Sequence, residues 1–254
     1  MKIGVIGLGL IGGSIFKALR SKSEYDLIGV SSSVKEEYVS SDYETLKACD
    51  LVFVCTPMNA TLEILDKLEG ILSPSAIVTD VCSLKGFVSK KKYSYKFIPS
   101  HPMAGTENSG WESSFPELFV GAKWVITPID GEITDEQEIL EKVLESLGAK
   151  ILITTPDEHD KAVALISHLP MVVAQALCSN IKDNKLAQEI ASSGFRDTTR
   201  LALSNIEMAS DMVEMNGENI SKALEGFKAS LQDLLKESYK DNANNIKEFR
   251  RNLY

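Results

Sequence analysis

The stretch KIGVIGLGLIGGSIFKAL, Lys2 to Leu19, decides the fold. An apolar strand, Lys2 to Ile6, runs into Gly7-Leu8-Gly9-Leu10-Ile11-Gly12, and a helix opens at once. A G-x-G-x-x-G run alone is a weak signal. Directly after a strand and at the start of a helix, it has the context that a dinucleotide-binding turn requires. Gly7 permits the tight turn, Gly9 lets the backbone approach a pyrophosphate, and Gly12 lets helix and strand pack closely. The helix N-terminus, through Leu10, Ile11 and Gly12, offers free N–H groups and a positive dipole end to phosphates.

Beyond this turn, short apolar runs alternate with helical patterns. Strands are expected at Lys2 to Ile6, Leu27 to Val30, Leu51 to Cys55, Ala76 to Asp80 and Lys96 to Ile98. Two further runs, Lys123 to Thr127 and Lys150 to Thr154, look similar. Helices are expected near Gly12 to Arg20, Asn59 to Leu68 and Asp135 to Leu147. This alternation predicts an α/β fold with a Rossmann-type, doubly wound parallel sheet. After about Thr155 no strand pattern follows. DEHDKAVALISHLPMVVAQALCSNI has helical spacing interrupted by Pro170, and NISKALEGFKASLQDLLKESY is an amphipathic helix. The expected division is a dinucleotide-binding domain at residues 1–154 and an all-helical substrate and dimerisation domain at 155–254. The polar tail KDNANNIKEFRRNLY reads as loosely held.

The chain has 254 residues, 44% hydrophobic and 25% charged, with a formal charge of −9. These values suit a soluble globular protein. An acidic chain without a basic block is a poor partner for nucleic acid or an anionic membrane, and Lys90 to Lys92 read as a solvated turn. No apolar run approaches the ~18 residues of a membrane span. Cys49, Cys55, Cys82 and Cys178 form no C-x-x-C pair and read as reduced core residues. Glycines interrupt the apolar N-terminus, unlike a signal peptide. The expected compartment is the cytoplasm, and no metal is expected.

At the end of the second strand, LIGVSSSVKEE puts Ser31, Ser32 and Ser33 where an NAD-binding fold places its ribose-holding acid. The hydroxyls and Lys35 suit a 2′-phosphate, which tilts the expectation to NADP. Ser31 would hold the ribose hydroxyls of NAD equally well. Thr56 and Pro57, just after the third strand, complete the expected cofactor set.

Two segments carry chemistry. VTDVCSLKG brings Ser83 and Lys85 to the carboxyl end of a strand, where open α/β sheets place ligands. PSHPMAGTENSGW, Pro99 to Trp111, holds His101 in what reads as a polar, glycine-bearing loop from the same edge. A histidine there suits a general base or hydrogen-bond partner. Ser83 and His101 are expected to meet across the cleft. Thr106, Glu107 and Ser109 are candidates for the site floor, although TENSG also reads as a helix start. His159, among acids on a helix's first turn, reads as solvated.

GLGLIGGS, TDVCSLKG, SHPMAGTENSGW, SHLP and GFRDTTRLA, in this order, resemble the prephenate dehydrogenase family, which includes the arogenate and cyclohexadienyl dehydrogenases. The resemblance runs from Met1 to about Leu203. It implies removal of hydride from the carbinol carbon of prephenate to NAD or NADP, with loss of the ring carboxylate as CO2, in tyrosine biosynthesis. It implies that His101 meets the ring hydroxyl as a neutral imidazole, and that Ser83 bonds the same hydroxyl or orients His101. Arg200 matches the family's carboxylate-binding arginine, a job that suits the guanidinium fork. His168 would face the substrate's side chain. Alternatively, it caps a carbonyl freed by Pro170. One departure stands out: in some relatives a tryptophan from the partner subunit closes the site, and SNIEMASDMVEMN after Arg200 has none.

Arogenate as substrate would use the same residues. A β-hydroxyacid dehydrogenase would need a lysine after a small-residue motif, which the helical half lacks. A non-catalytic dinucleotide sensor would have no use for His101, Ser83 and Arg200. The helical half carries more apolar face than about 100 residues can hide, so a homodimer is expected. The chain ends about where the helical domain should, so tyrosine feedback, if present, is expected to act at the active site.

Overall fold

The computed structural model describes residues 1–106, 108–129, 131, 134–236 and 238–253. Six parallel strands form the main sheet: β1 (Lys2–Ile6), β2 (Asp26–Val30), β3 (Val39–Ser40), β4 (Leu51–Val54), β5 (Ile77–Asp80) and β6 (Lys96–Phe97). Their order is β3-β2-β1-β4-β5-β6, the dinucleotide-fold order whose direction of winding reverses between β1 and β4. All four residues of β4 are buried. Successive side chains leave a strand on opposite faces. Leu51 and Phe53 therefore join the core on one side, with Ile15, Phe16, Leu140 and Leu144. Val52 and Val54 join the core on the other, with Leu65 and Leu68. Those residues belong to α1 (Leu10–Arg20), α2 (Met58–Leu68) and α3 (Asp135–Ser146), so the sheet is covered on both faces.

The later strands depart from the sequence expectation. They build a second, three-stranded sheet of β7 (Ser100–Pro102), β8 (Lys123–Ile126) and β9 (Lys150–Ile153). β7 runs antiparallel to β8, pairing His101 with Val125, and β9 runs parallel to β8. Ile98 still donates to Val78 of β5, at 2.8 Å. Pro99 has no N–H to continue that ladder, so the chain leaves the first sheet and enters the second. His101 therefore sits on a strand, not in a loop.

From Pro156 onward the described elements are helical. Thr155 caps α4 (Pro156–Val163) by accepting from Glu158 N–H, with Pro156 at the first position. A π-helical turn, Ala164–His168, links it to α5 (Leu169–Asn180). Pro170 explains the turn, because it removes one N–H and its ring collides with the preceding turn's carbonyl. Then come α6 (Lys185–Ile190), α7 (Ser193–Thr198), a 3₁₀ turn at Arg200–Leu203, and α8 (Ile206–Leu234), which kinks at Asn216 (φ −120°, ψ 17°). The polar tail forms a helix, α9 (Tyr239–Asn252), with no buried residue.

The run Pro156–Asn180 is long and apolar enough, by length and composition, to cross a membrane: an 18-residue window within it has a mean hydropathy of 1.7. The sequence suggested no such run. Uncharged polar residues such as Ser167 and Gln175 interrupt the apolar pattern without lowering the mean enough. One third of that window (33%) is buried within this chain.

Candidate active site

The glycine turn lies where the winding of the sheet reverses. Gly7 has φ +82°, and a Cβ there would meet Cys55 O at 2.5 Å. A Cβ on Gly12 would lie 2.1 Å from Gly7 O. A Cβ on Gly9 would meet no protein atom within 4 Å, so that backbone is open to approach from outside. Gly9 is the N-cap of α1, and no acidic side chain stands in the helix's first turn. These residues fit a pyrophosphate.

Past β2, the Ser31 hydroxyl accepts the N–H groups of Ser33 (3.3 Å) and Val34 (3.1 Å), which shapes a turn. Ser31, Ser32, Lys35 and Ser40 line a cavity of about 510 Å³. Glu36 and Glu37 line it too, so carboxylates stand nearer than the serine run suggested. Arg20 engages Glu37 at 3.1 Å. Thr56 bonds Thr61 through their hydroxyls at 3.0 Å, and Pro57 is the N-cap of α2.

The centre of the site is a histidine cluster. His101, partly buried on β7, places Nδ1 3.0 Å from Nε2 of His159. His159 is 3% exposed and its Nδ1 lies 2.8 Å from Asp160 Oδ1. It is therefore a core residue and not the solvated one the sequence suggested. Asp160 also accepts the backbone N–H groups of Lys85 and Gly86, each at 2.8 Å. Beneath β7 the buried Lys85 ammonium pairs with Asp80 and donates to Ser100 O at 2.6 Å. Burial, and then the charge of Lys85, hold the His101 pKa well below the usual histidine range. At neutral pH the ring is uncharged.

His168, 1% exposed, is linked to this cluster. Asn216, at the kink of α8, uses Nδ2 for both Asp160 O (2.9 Å) and His168 Nδ1 (3.2 Å). Asn219 donates to the Asn216 oxygen at 2.8 Å, which fixes the amide's orientation. The His168 Nδ1 is thus an acceptor and its proton sits on Nε2. That Nε2 is buried and has no partner. Burial pushes this histidine down to about 4.

Other expected site residues stand apart. The Ser83 hydroxyl donates to Met58 Sδ at 3.4 Å, whereas the ring contact of His101 Nδ1 is with His159. Thr106 is exposed and bonds Asn108. Glu107 lies outside the described residues. Arg200 is exposed on its 3₁₀ turn and is not among the hydrogen-bonded groups of the cluster. Cys55 and Cys82 flank the cleft with burial raising both thiols, so neither is a ready nucleophile. Among the described residues no group of His, Cys, Asp or Glu is arranged to hold a metal.

Sequence reasoning missed His159, Asp160 and Asn216. A signal existed for the first two. Stepping back four from the buried Val163 and Ala164 puts His159 and Asp160 on the inward face of α4, while Asp157 and Glu158 pair with Lys161 outside.

Two family models match the chain. "Prephenate dehydrogenase, nucleotide-binding domain" covers residues 21–153, and "Prephenate dehydrogenase, dimerization domain" covers 155–253. The chain belongs to the prephenate dehydrogenase family. A prephenate dehydrogenase of Lactococcus lactis is 30% identical, the match covering 98% of this chain and 74% of the relative. A solved structure of Synechocystis arogenate dehydrogenase is 37% identical, with TM-score 0.81, covering 99% of this chain and 97% of that one. The prephenate dehydrogenase of A. aeolicus, solved with hydroxyphenyl propionate and NAD+, is 29% identical, with TM-score 0.86, covering 99% and 96%. This family member is an NAD(P)-dependent dehydrogenase with a Rossmann-type sheet and a helical C-terminal region.

Proposed function

We propose that the chain converts prephenate to 4-hydroxyphenylpyruvate and CO2 with hydride transfer to NAD or NADP, a step of tyrosine biosynthesis. The observation that carries this reading is His101. It is a neutral ring, engaged at Nδ1 by His159, on β7 of the second sheet. Residues 1–154 bind the dinucleotide through Gly7, Gly9, Leu10, Ile11, Gly12, Ser31, Ser32, Thr56 and Pro57. Residues 155–254 complete the substrate site and form a homodimer. The protein works in the cytoplasm, without nucleic acid or membrane. The apolar face of Pro156–Asn180 is then read as part of the subunit contact.

A bound nicotinamide supplies the hydride acceptor. His101 Nε2 takes the proton of the ring hydroxyl, and Ser83, once released from Met58, bonds the same oxygen. Arg200 pairs with a substrate carboxylate bidentately. The unpartnered Nε2–H of His168 suits an oxygen of the substrate's side chain. Thr106 lines the floor. The serine turn after β2 favours NADP, through Ser32 and Lys35.

Arogenate is the second reading, favoured by the 37% identity to the Synechocystis arogenate dehydrogenase. The test is absorbance at 340 nm with purified protein, crossing prephenate or arogenate with NAD or NADP. A rise with prephenate, lost in His101→Asn, is expected. A rise with arogenate alone would move the substrate assignment, and a flat trace in all four mixtures would overturn the proposal.

A further inference from the structure

We propose that His159 and Asp160 are positioning residues that set the tautomer of His101 and draw the substrate proton inward through a His101–His159–Asp160 relay. This inference rests on His101 being the base. The hydrogen positions follow from the closed end of the chain of bonds. Asp160 already accepts two backbone N–H groups, from Lys85 and Gly86. It presents only acceptor capacity to His159, so His159 Nδ1 carries the proton. In a neutral ring the other nitrogen is then an acceptor. His159 Nε2 accepts, His101 Nδ1 donates across the 3.0 Å contact, and His101 Nε2 is left with its lone pair outward. A base needs that lone pair.

The same bonds give the proton a route. The hydroxyl proton leaves oxygen for His101 Nε2. The proton on His101 Nδ1 passes to His159 Nε2, and the new imidazolium lies against the Asp160 carboxylate. His101 returns to neutral with its proton on Nε2. No electrons move through the relay, since the C–H pair leaves the substrate as hydride to the nicotinamide. The charges around it favour this direction. Lys85 stands near His101 and opposes a cation there, although Asp80 engages its ammonium. His168, neutral and buried, stands beyond Asn216. Asp160 is the carboxylate in contact with the histidines. Structure around Asp160 holds the relay in place: a Cβ on Gly86 would lie 2.8 Å from Asp160 Oδ2, and Asn216 donates to the Asp160 carbonyl.

The test has two arms. In the first, the wild-type protein labelled with ¹⁵N-histidine is studied by long-range ¹H–¹⁵N NMR near pH 7. Assignment comes from His101→Asn and His159→Gln samples. His101 is expected as the Nδ1–H tautomer with an unprotonated Nε2. A His101 signal from the Nε2–H tautomer would overturn the proposal with no reference to any substrate.

In the second arm, His159→Leu, which keeps bulk but no hydrogen bond, is expected to lower kcat about 10²-fold with little change in KM. His159→Gln can accept from His101 and donate to Asp160 but cannot carry a proton onward. It is expected to recover part of the loss and to leave the His101 tautomer as in the wild type. A His159→Leu enzyme with wild-type kcat would overturn the proposal. If that variant does not fold, the wild-type spectrum decides. A flat assay of the wild-type enzyme would count against the proposed reaction, while the NMR arm would still judge the relay.

Discussion

His101 and His159 are separated by 58 residues in the chain, yet their rings meet edge-on with centroids 5.2 Å apart. The contact joins the second sheet to the first turn of α4. It makes the properties of the His101 ring depend on both halves of the protein.

The first consequence is a pH profile. The folded His101 has its pKa well below the usual 6.5, from burial and Lys85. Above that lowered pKa the ring is neutral and able to take a proton. Activity is therefore expected to hold as pH falls through 6.5 and to be lost only at lower pH. The measurement is kcat/KM against pH. A half-loss at or above 6.5 would contradict the environment described for this ring.

The second concerns stability. His168 titrates near 4 in the fold and near 6.5 when unfolded. Between these values the unfolded chain binds more protons, so stability falls as pH drops from 6.5 to 4. The loss from this group is roughly 3 kcal/mol at the lower end. His101 adds a loss of the same sign. Urea unfolding of wild type and His168→Gln across this range should show a shallower slope in the variant. Equal slopes would mean that His168 is not buried neutral.

What could be read from sequence follows the range of the interactions. The strand, glycine turn and helix of Lys2 to Leu19 are local, and Gly7 and Gly12 have the close contacts their positions imply. The helical second half was visible from its spacing. The split into two sheets was not, because the apolar runs Lys123 to Thr127 and Lys150 to Thr154 do not encode which neighbour they pair with. The burial of His159 is not legible locally because its ring meets His101, 58 residues away in sequence, and the adjacent Asp160 is held by Lys85 and Gly86, more than 70 residues away. A His among acids has no local feature to announce such a contact. Arg200 was picked out by resemblance alone, and its exposed place on the 3₁₀ turn is something no local pattern contains.

Gly86→Ala should damage catalysis from a distance. The new methyl would sit 2.8 Å from Asp160 Oδ2, and Asp160 is pinned by His159, Lys85 and Asn216, so it has little room to yield. Displacing it shifts His159 and then His101. A shift of about 1 Å in a reacting group costs roughly 10²-fold in rate, and a lost hydrogen bond costs about 1–3 kcal/mol of stability. Steady-state kinetics and a thermal melt on the same sample separate the two effects. A variant with full kcat would show that Asp160 moves freely.

The apolar surface of the helical half predicts its assembly. Leu203 is 84% exposed, Ile190 70% and Ile206 69%, more than single scattered residues account for. Burying one Leu contributes about 1.5–3 kcal/mol, counted twice in a symmetric pair. Leu203→Glu is thus expected to weaken dimerisation by roughly 10²-fold or more. Sedimentation velocity at micromolar protein should show a wild-type dimer and a largely monomeric variant. A monomeric wild type would rule out the subunit contact.

Cofactor choice can be tested at the turn after β2. Ser31 uses its hydroxyl on the backbone N–H groups of Ser33 and Val34, and the exposed Ser33 hydroxyl lies 3.5 Å from that of Ser31, so Ser32 and Lys35 are the exposed groups of that turn best able to meet a phosphate. If they meet a 2′-phosphate, Lys35→Ala removes a charge-assisted hydrogen bond of about 1.5–3 kcal/mol. KM for NADP should rise roughly 10- to 100-fold, while KM for NAD should change little. Ser32→Asp should go further, because a carboxylate repels the phosphate and accepts from ribose hydroxyls. Glu36 and Glu37 bring opposing charges to the same cavity. If they dominate, the wild type will already prefer NAD and neither variant will alter the ratio of kcat/KM for the two cofactors.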